Sequence, residues 1–216
     1  MLAVAAGRPG VVPREQDAVA FAAATDAQAF GYHRVLLKEL VHHIPESDAA
    51  AMYAGLARQL APGGLCVTVT RPQEVDYPLW GAARAVWRAA QPPAERLLAQ
   101  MAAAGLEVRS EEAVYTATLP KERWFAMVRT QHVFSTRLVC DAARLTCLRS
   151  ASLSRRQVRT RFWSTFSAFD DAGLEAGIAE LEAAYAHTDV VTFHDRLLIL
   201  IGTKPPDSSL ASTAHA

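Results

Sequence analysis

Cysteine, clustered glycine, long apolar runs and net charge are all scarce in this sequence, and each shortage excludes something. The 216 residues include three cysteines, Cys66, Cys140 and Cys147. So odd and sparse a set argues against a disulfide framework and for a reducing, cytoplasmic compartment. The spacing of Cys140 and Cys147 matches no usual zinc site. No apolar run reaches the roughly 18 residues of a membrane span. The opening "MLAVAAGRPG" meets glycine and proline before it is long enough for a signal peptide. Basic and acidic residues balance at 22 each, which removes any general electrostatic reason to expect nucleic acid or a membrane as partner. The closest glycine groupings are Gly7 with Gly10, and Gly63 with Gly64. Neither sits between a first strand and a first helix, where a phosphate- or nucleoside-binding loop would stand.

Half of the chain is hydrophobic, enough for one domain with a sizeable core. Met1 to Gly7 reads as a fragment of helix, and Val11 to Gln16 as a short extended piece. "DAVAFAAATDAQAF" reads as a loop and short helix. "HRVLLKELVHHI" holds the unbroken run Val35, Leu36 and Leu37, as in parallel strands buried on both faces. Ala50, Tyr53, Leu56, Ala57 and Leu60 recur at helical spacing, with Ser47 and Asp48 as an N-terminal signal. "APGG" then stops the helix before the strand "LCVTVT". Helices are expected over 79–90 and 94–104, the second closed by Gly105. "LEVRSEEAVYTATL" and "VVTFHDRLLILIG" read as strands, able to form an antiparallel edge pair. Residues 121 to 187 look mainly helical, with a stripe at Leu174, Ile178, Leu181 and Tyr185. Strands alternating with helices of this length imply an α/β fold.

In this order, "MLAVAAGRPGVV", "QDAVAFA", "YHRVLLKELVHHI", "LARQLAPGGLCVTVT", "AAAGLEVRSEEAVY" and "VTFHDRLLILIGTK" resemble the later elements of class I S-adenosylmethionine-dependent methyltransferases of the type 11 kind. The resemblance covers most of residues 1–120 and 162–204. It implies a Rossmann-like sheet of strand order 3-2-1-4-5-7-6, of which strands 3 to 7 match. The fold expected is therefore a partial methyltransferase sheet lacking strands 1 and 2, with a helical insertion before the last strand. The expected divisions are a partial core over 1–120, a helical lid over 121–188, a last core strand over 189–204, and a disordered tail over 205–216.

The resemblance also implies the site. S-adenosyl-L-methionine would be the cofactor, with Asp17 accepting from the adenine amino group and Ala18 presenting its N–H to the ring. Lys38 and Glu39 would lie beside the cofactor beyond the carboxyl end of the fourth strand, where open α/β sheets take ligands. His42 or His43 could serve as general base on an acceptor hydroxyl or amine; structural roles at a helix entry are the other reading. As neighbours in sequence the two should point apart, which disfavours a joint metal site. Tyr77, Trp80, Arg161 and Trp163 would contact a small-molecule acceptor, or else pack as core. The glycine turn and the ribose-binding acid of such enzymes are not found. Met1 is accordingly read as an internal methionine of a longer protein, and cofactor binding by this chain as impaired. The loss would bare the edge of the Val35–Leu37 strand, a template for self-association. That gives a rival reading, a non-catalytic module that pairs through its sheet edge. Residues 131–160, rich in arginine with Asp141 as their one acid, read as an insertion. A metal-dependent hydrolase using His42, His43, His194 and Asp195 is disfavoured, because His194 and Asp195 should face opposite sides of a strand.

Overall fold

Parallel strands joined through a helix begin the fold, which we describe from a computed structural model. The structure describes residues 7–24, 31–128 and 164–206; the expected helix at Met1, the insertion at 131–160 and nearly all of the tail lie outside them. The chain divides into two units. One comprises Met1–Thr70, Ala94–Glu111 and Ile199–Ala216, and the other Arg71–Pro93 and Glu112–Leu198.

In the first unit, β1 (Tyr32–Lys38) pairs in parallel with β2 (Leu60–Thr70), with Val35 opposite Cys66, Leu37 opposite Thr68 and Lys38 opposite Val69. The crossover is α2 (Glu46–Gln59), following α1 (Ala18–Ala22). Of the expected stripe α2 buries Tyr53, Leu56 and Ala57, with Ala49 and Met52 beside them, while Ala50 is exposed and Leu60 already belongs to β2; the larger apolar side chains are worth about 1.5–3 kcal/mol each. β3 (Glu107–Pro120) and β4 (Val190–Thr203) complete a four-stranded sheet of order β1-β2-β4-β3. Gly63 N–H donates to the Lys204 carbonyl and Lys204 N–H to the Gly64 carbonyl, both at 2.9 Å. That reciprocal pair makes β4 antiparallel to β2. α4 (Ala94–Ala103) buries Leu97 and Met101, and ends as expected where Gly105 N–H meets the Ala102 carbonyl.

Three local expectations are corrected. Val11 to Gln16 forms no strand. β2 starts at Leu60, so Pro62, Gly63 and Gly64 lie inside the strand, with the backbone of both glycines engaged by Lys204 rather than turning away. At the start of α2 the N-cap is Pro45, with no side-chain cap; the Ser47 hydroxyl bonds to Asp48 instead.

In the second unit β3 and β4 continue as an antiparallel pair. Thr118 Oγ1 meets Thr192 Oγ1 at 3.0 Å, while Arg196 Nε donates to Glu112 Oε1 at 2.5 Å, so the ladder runs in opposite directions. The core here is aromatic: Trp80, Trp87, Trp124, Phe125, Phe166 and Phe193 are all buried together. α3 (Gly81–Ala90), helical residues 121–128 and α5 (Asp171–Ala184) supply the rest. α5 buries the expected Leu174, Ile178 and Leu181 and is capped by Asp170, whose carboxylate accepts from Gly173 N–H at 2.8 Å. Gly177 lets α5 come down on Trp80: an added Cβ would stand 2.3 Å from the indole.

Candidate functional site

β1 and β2 end side by side, and the residues just beyond them form the candidate site of the first unit. Glu39 follows β1 with φ of 51°, the one non-glycine residue with positive φ among those described. Its N–H donates to the Val69 carbonyl at 2.8 Å, and its side chain is buried. A bulky residue held in the left-handed region costs of order 1 kcal/mol or more and persists only where its surroundings enforce it, most often at functional sites. Lys38 beside it is exposed.

The chain then makes a 3₁₀ turn over Val41–His43, closed by His43 N–H to the Leu40 carbonyl at 2.9 Å. His42 is half-buried and His43 exposed. Their ring centroids are 4.0 Å apart at 47°. The expectation that they point apart is corrected, because the tight turn swings adjacent side chains toward one side. Among the described residues no group of three metal-ligating side chains forms.

Asp17 is the N-cap of α1, its Oδ1 accepting from Ala20 N–H at 2.8 Å. α1 is fastened to α2 at two points. Gln59 Nε2 donates to the Phe21 carbonyl at 2.7 Å and the Ala22 carbonyl at 3.3 Å. Gly55 lies so close that an added Cβ would stand 2.1 Å from the Ala22 oxygen. Capping occupies Asp17 Oδ1 only, leaving the other carboxylate oxygen to accept from an adenine amino group. Ala18, the first helical residue, has an N–H with no partner in its own helix. The adenine end of a nucleoside therefore fits these residues.

Behind the carboxyl end of β2, Tyr53 Oη meets Thr68 Oγ1 at 3.0 Å. Burial pushes the Tyr53 phenol up to about 12 despite that hydrogen bond, and burial likewise raises the Cys66 thiol to about 12. Both groups are neutral and unreactive at neutral pH. Thr70, the last residue of β2, is fully buried. A cavity of about 210 Å³ in this unit lies elsewhere, beside Arg58, Gly105 and Lys204.

In the second unit Tyr77 is fully buried and Trp80 nearly so. Trp80 stacks on Phe166 with centroids 5.2 Å apart at 12°, which is core packing. Tyr77 donates to Asp195, and so do Arg71 and Tyr115. One carboxylate, with 12% of its side chain exposed, thus gathers a guanidinium and two phenols. On the opposite face of β4, Asp76 Oδ2 meets His194 Nδ1 at 2.7 Å and also accepts from His194 N–H. Partial desolvation pushes Asp76 upward, but these bonds outweigh it and hold its carboxyl below the usual range. His194 and Asp195 do face opposite sides, the first exposed and the second buried. Arg161 and Trp163 lie outside the described residues. Sequence reasoning missed Thr70, Arg71, Tyr115 and the Asp76–His194 pair. A signal existed for Asp195: it continues the buried alternation of Val191 and Phe193, and an acid in that phase demands partners.

Among the described residues, no helix is long and apolar enough to cross a membrane. No family model matches the chain, and no curated protein matches it. Among solved structures it is similar to a Bacillus halodurans protein assigned as a methyltransferase, at 16% identity over 88% of this chain and 70% of that one, with a TM-score of 0.41. It is also similar to Haemonchus contortus phosphoethanolamine N-methyltransferase 2 bound to phosphomonomethylethanolamine and S-adenosylhomocysteine, at 11% identity over 82% and 34% of the two chains, TM-score 0.36. A third is the [4+2]-cyclase SpnF, at 18% identity over 88% and 54%, TM-score 0.40. The chain thus spans about a third of the Haemonchus enzyme and about half of the cyclase. Each is what the chain is similar to in architecture, and one fold hosts many chemistries, so the role of this chain has to be read from its own residues.

Proposed function

We propose that this chain carries the adenine side of an S-adenosylmethionine-dependent methyltransferase site that acts on a small-molecule acceptor. The observation that carries the reading is the sheet order β1-β2-β4-β3, with β4 antiparallel to β2 and set between β2 and β3. That is the 4-5-7-6 half of the order implied by the sequence resemblance, and the order of two adjacent but non-consecutive strands is not dictated by composition.

Bound S-adenosylmethionine supplies an electrophilic methyl carbon on a sulfonium. The chain supplies positioning. Asp17 and Ala18 take the adenine edge, while Lys38 and Glu39 line the carboxyl end of β1. His43, the exposed member of the pair, takes a proton from the acceptor hydroxyl or amine; His42 packs behind it. Among the described residues, none of the strand-to-helix connections carries a glycine turn of the kind that lets backbone approach the methionine moiety. Cofactor binding by the chain as it stands is therefore weak, in the range of roughly 0.1–1 mM, about −4 to −5.5 kcal/mol.

Isothermal titration of the full chain with S-adenosylhomocysteine tests this, with Asp17→Asn as the informative variant. Asparagine caps a helix as well as aspartate does, so α1 stays formed while the acceptor for the adenine amino group is weakened. Wild type should bind weakly and Asp17→Asn more weakly still. Stoichiometric nanomolar binding would contradict the impaired half-site, and equal binding by both proteins would remove the adenine role of Asp17.

A second reading has its own observation. Among the described residues β1 pairs only with β2, and Leu36 on it is 63% exposed. An open apolar edge invites pairing with another chain, which makes a non-catalytic module the alternative. Light scattering after size exclusion separates the two: a stable dimer favours the module, and a monomer that binds nucleoside favours the enzyme.

A further inference from the structure

Thr70 ends β2 with its side chain wholly buried and its hydroxyl without a hydrogen-bond partner among the described residues. It continues the face of Cys66 and Thr68, both also fully buried. Thr68 satisfies its hydroxyl on Tyr53. Thr70, one pleat nearer the carboxyl end, has no equivalent. Valine has the same shape without the desolvation cost of a hydroxyl, so a buried threonine unpaired among the described residues calls for a further partner, which a ligand can supply.

A second observation lies alongside. Lys38 is in register with Val69, so Glu39 comes next to Thr70 at the ends of the two strands. Glu39 is buried, and the left-handed backbone there, pinned by its N–H on the Val69 carbonyl, turns it out of the strand. Carboxyl ends of adjacent parallel strands are where open α/β sheets take ligands.

We propose that Thr70 and Glu39 form a two-oxygen seat for the ammonium group of a small ligand. The Thr70 oxygen accepts one N–H and the Glu39 carboxylate another. A carboxylate has about four lone-pair sites, so it has acceptor capacity beyond any bond it makes within the chain. A neutral alcohol could bridge the same two atoms, but an ammonium brings three donors and the opposite charge, and its hydrogen bonds are charge-assisted. Two sources offer this chemistry: the amino-acid end of the cofactor, and an amine acceptor. The seat rests on the methyltransferase reading only for the identity of that source.

The test uses the full chain and its Thr70→Val variant. Thermal unfolding comes first, and the variant should melt at or above the wild-type temperature. A lower melting temperature means the hydroxyl already has a partner within the chain, and the seat is lost. Titrations then use S-adenosylhomocysteine, its deaminated analogue lacking the α-amino group, and ethylamine hydrochloride. At least one ammonium-bearing probe should bind Thr70→Val about tenfold more weakly. If that probe is S-adenosylhomocysteine, with the deaminated analogue indifferent to the substitution, the seat holds the cofactor. If it is ethylamine, with S-adenosylhomocysteine indifferent, the seat holds the acceptor. Should ethylamine respond while S-adenosylhomocysteine does not bind at all, the seat stands and the cofactor reading fails. Should S-adenosylhomocysteine bind both proteins equally and ethylamine show no dependence on Thr70, the seat is overturned and the cofactor reading survives. Binding of none of the probes overturns both.

Discussion

Replacing Gly55 by alanine sets a gain in helix propensity against a collision. Alanine in a helix interior is favoured over glycine by about 0.8–1.0 kcal/mol. The new Cβ, however, would stand 2.1 Å from the Ala22 oxygen and 2.7 Å from its carbonyl carbon, which is backbone and cannot swing aside. Either α2 is overpacked, at about 1–3 kcal/mol, or α1 lifts away. Lifting breaks both bonds from Gln59 to the Phe21 and Ala22 carbonyls, worth about 0.5–1.5 kcal/mol each, and leaves the buried Gln59 amide without its acceptors. Either route costs about 1–3 kcal/mol, so the net loss is up to about 2 kcal/mol. For a chain of this size that is a fall of up to roughly 8 °C in melting temperature. Hydrogen exchange locates the effect: protection of amides in Ala18–Ala22 should drop while β2 is unchanged. Pairing Gly55→Ala with Gln59→Leu in a double-mutant cycle should show strong non-additivity, because a lifted α1 has already lost the Gln59 bonds. A Gly55→Ala protein more stable than wild type, or one with undisturbed exchange in α1, would refute the docking of Asp17 through α2.

Asp195→Ala should destabilise the second unit by roughly 3–5 kcal/mol, the cost of removing one partner from a buried ion pair, because it strands Arg71 together with two phenols; urea midpoints measure it, and a loss under 1 kcal/mol would show the cluster to be dispensable. Gly177→Ala should cost about 1–3 kcal/mol of overpacking against Trp80, offset by about 1 kcal/mol of propensity; the near-ultraviolet tryptophan signal should change even where the midpoint barely moves. Asp76 is held below the usual carboxylate range in the folded state, so its contribution is present above the ordinary carboxylate pKa and is lost as pH falls through the lowered one. The stability gap between wild type and Asp76→Asn should accordingly close on acidification, and a gap that widens would reverse the sign. If copies of the chain associate through β1, Leu36→Lys should return them to monomers by light scattering, since a charged edge resists pairing.

The sequence by itself determined the elements that depend on local pattern. The spacing of Tyr53, Leu56 and Ala57 can bury only as a helix, the apolar runs read as strands even though Leu36 in the unbroken one stays exposed, and Gly105 marks a helix end by its missing side chain. These decide α2, α4, β1 and the body of β2, and the order of elements carried the resemblance that yielded the sheet order. Position along the chain was also enough to bring Lys38, Glu39, His42 and His43 to the end of one strand. Tertiary structure alone decided what depends on a distant partner. Pro62, Gly63 and Gly64 look like a stop, yet Lys204 pairs with both glycines and the strand runs through, because a strand boundary is set by where hydrogen bonds are available across the sheet. Asp195 can stay buried only because Arg71, Tyr77 and Tyr115 arrive from other segments, and no local window of sequence contains them all. Thr70 and Glu39 are 31 positions apart in the sequence. They become neighbours only through the parallel register of β1 and β2.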